Sequence, residues 1–137
     1  MDAETVSAIV VESAFHLHRR LGPGLLESVY ETLLARMLER RGLQVERQKI
    51  IAFNFDGIQF DEGLRVDILV EGVLVVELKS VERLAPVHAK QLLTYLRLLN
   101  LPLGILINFG APTFKEGIKR VVNGPVDFAH SRLRVNQ

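Results

Sequence analysis

The sequence predicts an α/β domain built on one mixed β-sheet flanked by helices. Three observations carry this. Two amphipathic helical stretches open the chain, a block rich in Val, Ile and Leu fills its middle, and a third helical stretch separates that block from a last apolar run. The predicted order is helix, helix, three strands, helix, strand, then short C-terminal elements.

Between Glu4 and Leu21, the residues Val6, Ile9, Val10, Ala14 and Leu17 recur close to the helical period, and Gly22-Pro23-Gly24 ends the run. A second helix is expected from Leu25 to Arg41, with Leu26, Val29, Tyr30, Leu33, Met37 and Leu38 as its core stripe and Gly42 as its stop. Val45 to Phe55, the turn signal Asp56-Gly57 and a run through Phe60 read as a hairpin. It leads into Val66 to Lys79, VDILVEGVLVVELK, read as two buried strands around a turn. Pro86 suits a helix start, and Leu92, Leu93, Leu96 and Leu99 give that helix a stripe ending near Asn100. Leu103 to Phe109 reads as a fully buried strand. Gly110-Ala111-Pro112 is a loop, Thr113 an N-cap for a short segment to Val122, and the residues after Gly124-Pro125 an edge strand or a trailing end. With no internal repeat and no linker, residues 1–137 are expected to form a single domain, with 125–137 as a C-terminal extension.

Hydrophobic residues make up 48 % of the chain, which argues against disorder. There is no cysteine, so a metal site must use oxygen or imidazole ligands, and hard cations are the default candidates. Seventeen basic against sixteen acidic residues give a net charge of +1, too balanced for a protein that coats nucleic acid by charge alone. Arg36, Arg40 and Arg41, and Lys115, Lys119 and Arg120, read as solvated helix faces. No apolar run is long enough for a membrane span and Met1-Asp2-Ala3-Glu4 does not start a signal peptide, so a cytoplasmic protein with no membrane contact is expected.

Nine of the fourteen residues from Val66 to Lys79 are Val, Leu or Ile, a setting in which Asp67, Glu77 and Lys79 need a partner or a metal. Alternation puts Glu77 and Lys79 on one face. A strict two-residue loop at Glu71-Gly72 sends Asp67 to the other face. A three-residue loop, Val70-Glu71-Gly72, with Gly72 left-handed in a G1 bulge, sets Asp67 opposite Val75 and diagonal to Glu77, roughly 7–8 Å away. The second turn is predicted, because only it gives the three charges a common face. Two carboxylates and a main-chain carbonyl suit Mg²⁺, with Lys79 placed to orient water and offset phosphate charge. From these residues alone, such a site and an ordinary Glu–Lys pair beside a solvated Asp are equally supported.

Asp67 followed by Glu77-Leu78-Lys79, between helices, resembles the PD-(D/E)XK nuclease superfamily with its restriction-endonuclease-like core. Gly24-Leu25-Leu26-Glu27-Ser28-Val29-Tyr30 resembles the motif that names the GxxExxY proteins, a bacterial and archaeal branch. His88 to Leu96 is similar to the following helix with its QxxxY pattern, and the likeness covers about residues 5 to 124. Val66 stands where the superfamily name has Pro. The resemblance implies that Asp67 and Glu77 are metal ligands and that Leu78 lends its carbonyl. It also implies that Lys79 is the catalytic lysine, that Glu27 adds an acidic group directly or through water, and that Gln91 and Tyr95 flank the site.

Each helical residue also has a plain structural role: Glu27 favours a helix start, and Gln91 and Tyr95 can meet on one helix face. His16 and His18 diverge, and His88 suits phosphate contact or helix-start packing better than metal ligation. The leading expectation is a nuclease dependent on Mg²⁺ or Mn²⁺, acting on nucleic acid with DNA the expected substrate, in a homo-oligomer. The alternative is an assembly or binding module that keeps the nuclease fold with weak or no catalysis.

Overall fold

The structure, a computed structural model, describes residues 1–124. Helix α1 (Ala3–Leu21) starts at Asp2, whose carboxylate accepts the Thr5 N–H at 2.8 Å, and ends at Gly22. Helix α2 (Glu27–Arg40) follows the Gly22–Leu26 loop. Strands β1 (Val45–Phe55), β2 (Ile58–Val70) and β3 (Leu74–Lys79) come next, then α3 (Pro86–Leu99), β4 (Leu103–Asn108), the short α4 (Phe114–Gly117) and β5 (Ile118–Val122). The five strands lie in the order β1-β2-β3-β4-β5, with β3 and β4 parallel and the other neighbours antiparallel. The mixed sheet with flanking helices is as expected. The segment read as running from Thr113 to Val122 divides into α4 and β5, and the expected C-terminal extension, 125–137, lies outside the described residues. Among the described residues, no helix is long and apolar enough to cross a membrane.

Two cores cover the sheet. Val6, Val10, Ala14, Tyr30, Leu34 and Leu38 of α1 and α2 pack on Ile68, Val76 and Ile105. On the other side, Leu92 and Leu96 of α3 pack on Leu64, Val75 and Leu106. Helix α2 is rotated from the expected stripe: it buries Tyr30, Glu31, Leu34, Ala35 and Leu38, while Leu26, Val29 and Leu33 are exposed. Tyr30 sets the rotation, its ring stacked on Phe109 at 4.4 Å between centroids and its hydroxyl bonded to Gly22 O at 2.6 Å. Glu31 tolerates burial because Arg47 and Gln48 satisfy its carboxylate.

The run ending at Phe60 and the first buried strand are one continuous strand, β2. Its turn into β3 corrects the expected register. Ile68 pairs with Val76 and Val70 with Leu74, so the loop is Glu71-Gly72-Val73 and Asp67 falls opposite Glu77 rather than Val75. Gly72 is left-handed as expected (φ 66°), but Glu71 is left-handed too (φ 54°), so the turn is not the predicted G1 form. Glu71 is held there by a two-point clasp on Gln44: its N–H donates to Gln44 O, and its carboxylate accepts the Gln44 N–H at 2.6 Å. Alternation holds along β3, so Glu77 and Lys79 share a face. Along β2 it breaks at Asp67, since Leu64 and Val66 pack on the α3 side and Ile68 and Val70 on the α1 and α2 side, so register parity does not carry Asp67 onto the Glu77 face.

Replacing Gly72 with Val is expected to destabilise the fold by about 1–3 kcal/mol, because a β-branched residue fits poorly at positive φ. Urea denaturation checks this, and an unchanged midpoint would contradict the left-handed turn.

Candidate active site

The β2–β3 ladder runs from Val70–Leu74 to Ile68–Val76. Immediately past it, side chains take over the cross-strand bonding. Glu77 Oε2 accepts the Asp67 N–H at 2.8 Å, and Asp67 Oδ2 accepts the Leu78 N–H at 2.8 Å. Each carboxylate thus satisfies the backbone of the opposite strand, which holds both in place. Lys79 O accepts the Phe109 N–H from the β4 side. Because successive residues of a strand turn their backbone groups to opposite edges, Leu78 turns its carbonyl, like its N–H, towards Asp67.

Glu77 is 9 % exposed. Burial first, and then the neighbouring Asp67 charge, push its pKa up to about 8, against the opposing effects of the Asp67 N–H and Lys79. Lys79 is half-buried on the same face. Helix α3 brings Tyr95 alongside, with its hydroxyl accepting a bond from Gln91 Nε2 at 3.1 Å. Burial raises the Tyr95 pKa, and the charges of Glu77 and Asp67 add to it.

Glu27 begins α2, exposed, within electrostatic reach of Glu77. The loop before it is pinned at three points. Tyr30 Oη donates to Gly22 O and accepts the Leu25 N–H at 3.2 Å, while Ser80 Oγ at the end of β3 donates to Leu25 O at 2.6 Å. Gly24 has φ 116°, a conformation that suits glycine alone. Gly24 and Tyr30 therefore shape the loop that delivers Glu27. His88 packs at a helix start, its Nδ1 accepting the Ala85 N–H, and His18 is buried against Ala111 O.

Three residues at the site were not anticipated from sequence. Gln48 is left-handed (φ 48°) on β1, and its amide donates to Glu31 Oε1 at 2.5 Å and to Asp67 Oδ1 at 3.3 Å. Glu31 in turn pairs with Arg47 at 3.0 Å. Arg65, two residues before Asp67, is an exposed cation whose field reaches Tyr95. The signal for Glu31 was its position beside Tyr30 in a buried turn of helix. Nothing in the sequence marked the backbone of Gln48.

The donor set fits a hard divalent cation. Two carboxylates stand opposed on adjoining strands, and among the described residues Glu77 Oε1 makes no hydrogen bond. Among those residues no group of three His, Cys, Asp or Glu side chains is arranged to hold a metal. Two carboxylates with a main-chain oxygen would suit an ion that keeps several waters.

A family model described as the PD-(D/E)XK nuclease superfamily matches residues 4–121. No curated protein and no solved structure matches the chain.

Because the folded pKa of Glu77 lies above its ordinary 4.5, its contribution to stability is full below pH 4.5 and is lost as pH rises to about 8. In EDTA, the free energy of unfolding is expected to fall across that window by an amount on the order of a few kcal/mol, and Glu77→Gln should flatten the profile. A slope that survives in Glu77→Gln would contradict the assignment. Tyr30→Phe removes both loop bonds and is expected to cost about 1–2 kcal/mol in urea denaturation, with no loss if the loop is held otherwise.

Proposed function

Because the chain belongs to the PD-(D/E)XK nuclease superfamily, whose members are typically nucleases using divalent metals, we propose that it hydrolyses phosphodiester bonds of DNA with Mg²⁺ or Mn²⁺. The observation that carries this reading is the opposed carboxylate pair, Asp67 and Glu77, at the end of a ladder. Asp67, Glu77 and the Leu78 carbonyl hold the cation. When bound, it lowers the pKa of a water and offsets charge developing on phosphorus-bound oxygen. Lys79 orients the attacking water and adds positive charge beside the phosphate. Glu27 acts from outside the pair through water, consistent with its exposed place at the start of α2. Tyr95, steadied by Gln91, walls the site on the α3 side, and Arg65 contacts phosphate. Within the superfamily, the G-x-x-E-x-x-Y spacing of Gly24, Glu27 and Tyr30 supports assignment to the GxxExxY branch. The reading extends to a single domain over residues 1–137 and to a cytoplasmic protein.

A second reading has its own observation. Strands β1 and β2 extend as an arm bearing exposed Ile50, Phe60, Ile58 and Phe55, the last 65 % exposed. An apolar arm on an edge strand supports self-association. We propose a homo-oligomer through this arm, whether the protein works as a nuclease or as an assembly module.

Glu77→Ala, Asp67→Ala and Lys79→Ala are each expected to lower cleavage of plasmid or labelled single-stranded DNA at least 100-fold, with EDTA abolishing it in the wild type. Cleavage that persists in Glu77→Ala would refute the site. Absence of cleavage by folded wild-type protein under every metal condition would leave the assembly module.

A further inference from the structure

Part of the apolar stripe that periodicity marks on α2 is left exposed by the domain. Leu26 is 73 % exposed, and Val29 and Leu33 also face outwards. Leu21, Leu33 and Met37 lie along a groove of about 480 Å³ between α1 and α2, rimmed by Arg20, Arg36 and Arg40. Ser28 and Val29 continue it towards the start of α2. Arg36 and Arg40 are one turn apart, where like charges repel. Among the described residues, Arg41, Arg47 and Arg120 form ion pairs, but Arg20, Arg36 and Arg40 form none. Met37 packs on the core, and Arg20 and Arg40 lie in the last turns of their helices, but the outward surface of Leu21 and Leu33 and the charge of Arg36 have no partner within the described residues.

We propose that this groove docks an acidic amphipathic helix of a different protein. Charge decides between occupants. A second copy seated on the same groove by a two-fold axis sets its own three arginines against these. A nucleic-acid backbone satisfies the arginines but leaves Leu21, Leu33 and Met37 against phosphate and sugar. A helix with apolar residues at i, i+3 or i+4, and i+7, bordered by Asp or Glu, satisfies floor and rim together. Glu77 shares a face with Val75, which packs on the α3 side, and neither Glu77 nor Asp67 lines the groove. The docking surface is independent of the nuclease reading.

The test is selection of a displayed library of helical peptides on the purified full chain, followed by fluorescence anisotropy with the selected peptides. The expected result is enrichment of Asp and Glu beside an apolar helical stripe. Affinity should fall at least tenfold for Arg36→Glu/Arg40→Glu and for Leu33→Asp, with the thermal melt and DNA cleavage of the wild type retained. Replacing the acids of a selected peptide with Lys should restore binding to the doubly reversed variant. Selection without acidic bias, no selected binders, or equal affinity for the variants would overturn the proposal. So would self-association by light scattering that Leu33→Asp abolishes, or duplex-DNA binding that the arginine reversals abolish.

Discussion

The candidate site depends on a backbone constraint. Beyond Ile68–Val76, the N–H groups of Asp67 and Leu78 are bonded by Glu77 and Asp67 carboxylates rather than by another ladder pair. A buried N–H without an acceptor is costly, so these bonds hold the two acids in place. The same arrangement brings two like charges together where water is scarce, which is why Glu77 holds its proton to about pH 8. A divalent cation held by the pair would resolve that conflict.

The rest of the fold serves this end of the sheet. The parallel step from β3 through α3 to β4 leaves Lys79 on the face of Glu77 and packs Tyr95 against the same side of the sheet. Asn108, buried at the end of β4, bonds both backbone groups of Val81 and fixes the chain as it leaves β3. On the opposite layer, Tyr30 stacks on Phe109 and clamps the Gly22–Leu25 loop, and Ser80 ties that loop to the end of β3. The Gly and Tyr of the G-x-x-E-x-x-Y spacing are thus read as conformational parts, one for a left-handed backbone and one for a clamp.

Much of this was legible in the sequence because strand side chains alternate and buried charges stand out in an apolar run. The shared face of Glu77 and Lys79 followed from those two facts, whereas the break in alternation at Asp67, with Leu64 and Val66 packed on one side of the sheet and Ile68 on the other, left no mark in the sequence. The exposed face of α2 was not legible. Hydrophobic periodicity favours Leu26, Val29 and Leu33 together with Tyr30 and Leu38, whereas the domain buries only Tyr30 and Leu38 of these five and adds Glu31, through partners far along the chain, Phe109, Arg47 and Gln48. The left-handed Gln48 was equally hidden, since a conformation set by tertiary hydrogen bonds leaves no mark on residue spacing.

The most direct measurement is the proton count that accompanies Mn²⁺ binding, taken by titration calorimetry in buffers of different ionisation enthalpy. A cation that displaces the proton of Glu77 should release close to one proton per ion at pH 7 and few at pH 9, with Glu77→Gln releasing none. Absence of Mn²⁺ binding, or binding whose proton release is unchanged in Glu77→Gln, would contradict a metal centre on this pair.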